Sequence, residues 1–201
     1  MNERCVFTIG HSTHEMGRFL ELFRSYGVTA VVDVRSQPAS RLPHFCRDHL
    51  AAELRTVGIE YVFLGSELGV RRVERECYVD GRVSYERIAR LASFQHGLDR
   101  IERGAATRVV TLLCAEKEPL ECHRTILVAR HLVGRGWNVK HILADGTAED
   151  HIDGMRRLLR LRDIGRTLFE PNLTEEELFE RAYEEQSRII AYRDREEETD
   201  G

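Results

Sequence analysis

The chain is predicted to fold as one α/β domain: a mostly parallel five-stranded sheet with helices on both faces, plus a C-terminal helix. Three observations predict this class. Short apolar, β-branched runs alternate with helical stripes along the chain, which implies right-handed crossovers. Runs such as TAVVDV and VVTLLC are apolar on successive residues, as in strands buried on both faces. Unusual polar residues fall just after those runs, at the sheet edge where ligands bind in open α/β folds.

Taken in order, Cys5–Gly10 (CVFTIG) reads as the first strand. Ser12 and Glu15 have capping-box spacing, with Met16, Phe19, Leu20 and Phe23 as the helical stripe behind them. Gly27 stops that helix, and residues 29–34 are the second strand. Residues 35–45 are a loop, because Pro38 and Pro43 interrupt regular structure. Leu50, Leu54 and Val57 mark a helix closed by Gly58, and residues 59–64 are the third strand. Residues 64–83 lack periodicity and are far longer than an ordinary βα loop, so they are expected to be disordered or a lid carrying Gly69, Arg71 and Arg72.

A helix is expected from Ser84, with Ile88, Leu91, Leu98 and Ile101 inward. Residues 108–114 are the fourth strand, 119–135 a helix begun by Pro119, and 138–143 the fifth strand. Residues 148–162 read as a further helix, which closes an α/β unit over residues 1–165. Residues 166–193 are a linker and an amphipathic helix capped by Thr174 and Glu177, expected to pack on the domain or on a second copy. Residues 194–201 are charged, lack apolar side chains and are expected to be disordered.

Lys+Arg 30 against Asp+Glu 34 gives a net charge of -4, which argues against a general nucleic-acid coat. No apolar run approaches the roughly 18 residues that cross a bilayer, and the N-terminus lacks a signal-peptide core. Five cysteines, an odd and irregularly spaced set, do not form a disulfide framework. A reduced, cytoplasmic protein with no membrane partner is expected.

The chemistry concentrates in residues 109–124, VVTLLCAEKEPLECHR, where a buried strand delivers Cys114, Glu116, Cys122, His123 and Arg124 to one loop. Glu116 is the expected general acid/base, with His11 as proton relay and Asp33 and Cys114 beside them. Asp33 and Arg35 would point to opposite faces of a continuing strand, so they are not expected to pair directly. Ser12, Arg35, Ser40, Arg41, Cys122, His123 and Arg124 are the expected anion-binding set.

Cysteine phosphatases use Cys-x5-Arg, whereas Cys114 to Arg124 is Cys-x9-Arg, and no glycine-rich nucleotide loop is present. The spacing of Cys114, Cys122 and His123 matches no standard zinc motif, so metal binding is a weaker alternative and no cofactor is expected. Three readings stay open. The first is a hydrolase or transferase acting on a small anionic, phosphate-bearing or nucleotide-derived substrate. The second is a non-catalytic nucleic-acid module using Arg35, Arg41, Arg71, Arg72 and Arg124. The third is a thiol, sulfur-transfer or metal-binding protein, with both cysteines expected to stay reduced.

TIGHS (8–12), DVRSQPASRLPHF (33–45), GIEYVFLGSELG (58–69), LLCAEKEPLECHR (112–124) and GWNVKHI ending at Ile142 resemble the family known as domain of unknown function 488 (DUF488). The likeness runs in order over about residues 5–165, and the LLCAEKEPLECHR motif is its most specific part. Val70 stands where the family leads one to expect a second glycine. The resemblance implies a compact α/β domain with a site formed by these motifs, and brings no reaction with it.

Overall fold

The computed structural model describes residues 4–194. Its strands are β1 Cys5–Gly10, β2 Ala30–Asp33, β3 Glu60–Phe63, β4 Tyr78–Val79, β5 Arg82–Val83, β6 Val110–Cys114, β7 Asn138–Ile142 and β8 Ala148–Asp150. The main sheet is six-stranded, in the order β3-β2-β6-β1-β7-β8. All neighbours are parallel except the last pair, β7 and β8. The sixth strand corrects the expected five. Residues 148–150 do not begin a helix, because the Asp145-Gly146 turn folds them back on β7. Gly146 there adopts φ 97° and donates to Leu143 O, while Leu143 N bonds Thr147 O.

Two cores flank the sheet because successive strand residues point to opposite faces. On one face α1 (Met16–Ser25) and α2 (Arg47–Thr56) pack Phe19, Phe23, Leu50 and Leu54 over Ile9, Val31, Leu113 and Ile142. On the other face α4 (Tyr85–Ala89), α5 (Ala92–Ala105), α6 (Arg130–Gly134), α7 (His151–Leu161) and α8 (Glu175–Ile190) cover Val6, Val32, Leu112 and Val139. Between β3 and β4 the short helix α3 spans Gly65–Leu68.

Several expected boundaries shift for local reasons. Helix α1 begins at Met16 without a side-chain cap, because Ser12 is drawn away at φ 47° with its N–H on Ala115 O. The Ser12–Glu15 capping box is therefore absent. The helix expected from Ser84 is broken at Arg90 and Leu91, although Ser84 does cap its first turn. The helix expected over 119–135 is three pieces: a tight turn at Pro119–Glu121, a wide π-type helix at Arg124–Ala129, and α6.

Residues 64–83 are ordered rather than loose. Arg72 knots them together, donating to Glu74, Ser66 O and Ser93 Oγ while only 9% exposed. Gly69 is a close-packing position: a Cβ there would lie 2.3 Å from Gly65 O. Arg72 is thus a structural clamp and Gly69 is no hinge.

Thr174 and Glu177 form the expected capping box of α8. That helix buries Leu178, Phe179, Ala182 and Tyr183 against its own domain, the first of the two packings expected for it, while Ile189 stays exposed. The chain then pairs with the β4–β5 hairpin through Val83 N to Tyr192 O and Asp194 N to Gly81 O. The disorder expected for the tail lies outside the described residues, except Asp194, which is held by these bonds. No helix among the described residues is long and apolar enough to cross a membrane.

A buried polar chain ties α7 and α8 to the sheet. Thr8 Oγ1 meets His141 Nδ1 at 2.8 Å, His141 Nε2 meets His151 Nδ1 at 3.1 Å, and His151 Nε2 meets the Tyr183 hydroxyl at 2.6 Å. Burial lowers the His151 pKa from 6.5 to about 4 and lowers that of His141 as well, helped by the neighbouring His151. The unfolded chain takes protons near 6.5 that the folded one refuses. Stability is therefore full above pH 6.5 and falls towards pH 4, by about 3 kcal/mol for His151 alone. Urea midpoints measured from pH 7 to 4.5 should show this slope, and His151→Gln should make it shallower by the His151 share. An unchanged slope in the variant would rule His151 out as a contributor.

Candidate functional site

Strands β1, β2 and β6 end together, and the loops leaving them are bonded to one another. His11 N donates to Cys114 O, Ser12 N to Ala115 O, and Val34 N to Leu113 O. The loop 115–123 is fixed from every side. Arg124, fully buried, donates to Glu116 O at 2.7 Å and Lys117 O at 3.4 Å. Arg157 of α7 pairs with Glu118, Glu118 caps Leu120 N, and Gln186 of α8 donates to Leu120 O. Beneath it lies Gly10, where a Cβ would stand 1.7 Å from Glu116 O, so only glycine lets the loop cross the end of β1.

This scaffold brings four reactive side chains together. Glu116 Oε2 accepts from Cys114 Sγ at 2.9 Å and from Cys122 Sγ at 3.0 Å. His123 Nδ1 lies 3.7 Å from Cys114 Sγ and 4.0 Å from Cys122 Sγ. His123 Nε2 donates to Val34 O at 3.0 Å, which leaves the Nδ1 lone pair facing the sulfurs. Both cysteines are buried and not disulfide-bonded.

Three acidic groups this close cannot all ionise. Burial pushes the Cys114 thiol well up, reinforced by Cys122 and Glu116. Burial opposes the Cys122 thiolate too, but the Cys114 hydrogen bond, the Arg124 charge and His123 outweigh it and hold its pKa well down. Burial works against a charged His123, yet Cys122 and Glu116 raise its pKa. Glu116 is exposed as a residue at the crest of the loop. Its carboxyl turns inward to the sulfurs, where loss of solvent and then Cys122 push its pKa up.

The cluster floors a cavity of about 330 Å³. Its walls include Arg35, Ser36, Gln37 and Ala39 from one loop and Val70 and Arg71 from the next. Tyr85, Ala115, Glu121, Ile190 and Tyr192 complete them. The Tyr85 hydroxyl makes no hydrogen bond to the described residues. Arg71 stacks over Tyr192 at 4.9 Å and donates to Gln37, without an acidic partner among the described residues.

The other expected residues are placed differently. Arg35 and Asp33 do pair, through Nε to Oδ1 at 2.9 Å and Nη2 to Oδ2 at 2.6 Å. The strand stops at Asp33, so the next residues turn instead of alternating. Arg35 also donates to Phe45 O, so it lines the cavity with its charge already paired to Asp33. Arg124 lies under the loop and does not line the cavity. His11 shares the edge but stacks on Phe45 at 4.3 Å and donates to Ser12 O. Burial lowers its pKa to about 4, and it is not a lining residue. Ser12, Ser40 and Arg41 also stay off the cavity wall, with the Ser40 hydroxyl accepting from Leu42 N. Tyr85 and Tyr192 carried no sequence signal, whereas Ser36 to Ala39 lay inside the loop already singled out.

The fold and the site together are those of a mostly parallel α/β domain with a thiol–carboxylate–imidazole cluster at the C-terminal edge of its sheet, the edge where open α/β sheets bind ligands. The chain belongs to the family described as Domain of unknown function DUF488, whose model matches residues 15–131. That stretch contains the whole cavity floor, together with Arg35, Arg71 and Tyr85. His11, β7, Ile190 and Tyr192 fall outside it. Neither a curated protein nor a solved structure matches the chain.

Proposed function

We propose that the protein is an enzyme of hydrolase or transferase type acting on a small substrate with one anionic group, a phosphate or a carboxylate. The observation that carries this reading is the meeting of Glu116, Cys114, Cys122 and His123 on the floor of one cavity. Glu116 is the general acid/base: its carboxyl sits in a poorly solvated position at the cavity floor. Arg71 at the rim holds the anionic group, and the Tyr85 hydroxyl is a free donor for charge developing on the substrate.

The nucleic-acid reading loses its basis in the same geometry. Of the five arginines it requires, Arg35, Arg72 and Arg124 are buried and bonded within the chain. Arg41 and Arg71 alone do not make a basic surface.

The test is a turnover screen of small phosphate, nucleotide-derived and carboxylate substrates, repeated with Arg71→Ala. Losing a charge-assisted hydrogen bond should raise KM by about 10- to 100-fold with kcat little changed. Turnover that is indifferent to Arg71→Ala would remove the anion from the reading. Salt-sensitive oligonucleotide binding without turnover of any substrate would favour the rival.

A further inference from the structure

We propose that Cys114 Sγ, Cys122 Sγ and His123 Nδ1 bind one Zn2+ ion on the cavity floor, with the fourth coordination position open to water or substrate. The catalytic consequence rests on the enzymatic reading above, whereas the binding itself rests on these residues alone.

The three donor atoms lie within 4.8 Å of one another, and they form the cluster among the described residues that meets such a geometry. A tetrahedral ion about 2.3 Å from sulfur and about 2.05 Å from nitrogen separates those atoms by about 3.6 Å. The two S···N separations are 3.7 and 4.0 Å, so the ligands stand close to their required places. The imidazole is also oriented for the task. Its Nε2 donates to Val34 O at 3.0 Å, the outer bond by which ligating histidines fix their tautomer. Val34 is itself pinned by its N–H on Leu113 O at the end of the sheet.

The donor set selects the ion. Two thiolates and an imidazole suit zinc, whereas magnesium and calcium demand oxygen ligands. On binding, the protons that the sulfurs and the imidazole still hold pass to solvent or Glu116, both cysteines bind as thiolates and His123 neutral, and the two charges of the ion balance the two thiolates. Two buried sulfurs pressed on one carboxylate oxygen need protons or a cation between them, and zinc supplies the cation. Three protein ligands, rather than four, leave one position for a water that Glu116 is close enough to deprotonate.

The test strips the full chain with a chelator and titrates it with Co2+ as a spectroscopic stand-in, then with Zn2+. One equivalent of Co2+ should give the strong visible bands of a tetrahedral site and a near-ultraviolet thiolate-to-metal band, both bleached by one equivalent of Zn2+. Cys114→Ser and Cys122→Ser should each weaken Co2+ binding by about 100-fold or more, beyond the loss typical of an outer-shell change. Cys46→Ser, outside the cluster, should bind as wild type does. Zn2+ should also raise the melting temperature of the wild type, a readout independent of variants that fold poorly.

Absence of the thiolate band at stoichiometric Co2+, or its survival in both Cys114→Ser and Cys122→Ser, overturns the site. If it is overturned while metal-free wild type still turns over a substrate that Glu116→Gln does not, the enzymatic reading stands without zinc. If Co2+ binds as described and no substrate is turned over, the metal site stands and the enzymatic reading falls.

Discussion

Asp33→Ala is expected to lower stability by about 3–5 kcal/mol, because it strands a buried guanidinium without its counter-ion. Asp33 is fully buried and accepts four hydrogen bonds: from Arg35 N, Nε and Nη2 and from the Tyr61 hydroxyl. The variant leaves all four donors unmet inside the domain. For a chain of this size the loss corresponds to a fall in melting temperature of about 6–20 °C. Replacing both partners, as in Asp33→Leu with Arg35→Leu, should recover part of it, since the uncompensated charge is then gone.

The effect reaches the site as well. Val34 O orients His123, and Arg35 holds the loop that supplies Ser36 to Ala39. Thermal melts of the three proteins check the expectation. A single variant that melts within a degree or two of wild type would show that the pair contributes little.

Much of the fold was legible because local chemistry and tertiary structure agree. The apolar runs became the parallel strands, and Thr174 with Glu177 did cap α8. Where they disagreed, the tertiary bond won. Ser12 has the composition of a helix cap, but its N–H is committed to Ala115 O across the sheet edge. The Asp145-Gly146 turn was present in the sequence, and the residues after it pair with β7 because the turn redirects them.

The candidate site was legible in part for the same reason. Cys114, Glu116, Cys122 and His123 lie within ten residues, so one strand end and one turn suffice to bring them together. Arginine was harder to read. Arg35, Arg72 and Arg124 look like anion holders by composition, yet each is consumed by internal carbonyls or carboxylates. Whether a guanidinium faces a cavity or a backbone is set by long-range packing. Tyr85 and Tyr192 reach the cavity from distant segments, and no short-range pattern marks them.

Glu116→Gln is expected to lower kcat by about 10²- to 10⁴-fold, the range associated with losing a general acid/base. Glutamine keeps the shape of the side chain and an oxygen that accepts from Cys114 and Cys122, so the loop should stay in place. It cannot take or give the proton. KM should change little, because Arg71, not Glu116, holds the anionic group. The substitution therefore separates chemistry from binding and from folding.

The measurement that bears most directly on this account is the turnover rate at saturating substrate, wild type against Glu116→Gln, with melting temperatures confirming that both are folded. The account predicts a folded variant that still binds substrate and turns it over at least about a hundredfold more slowly. A folded Glu116→Gln protein with wild-type kcat would contradict it.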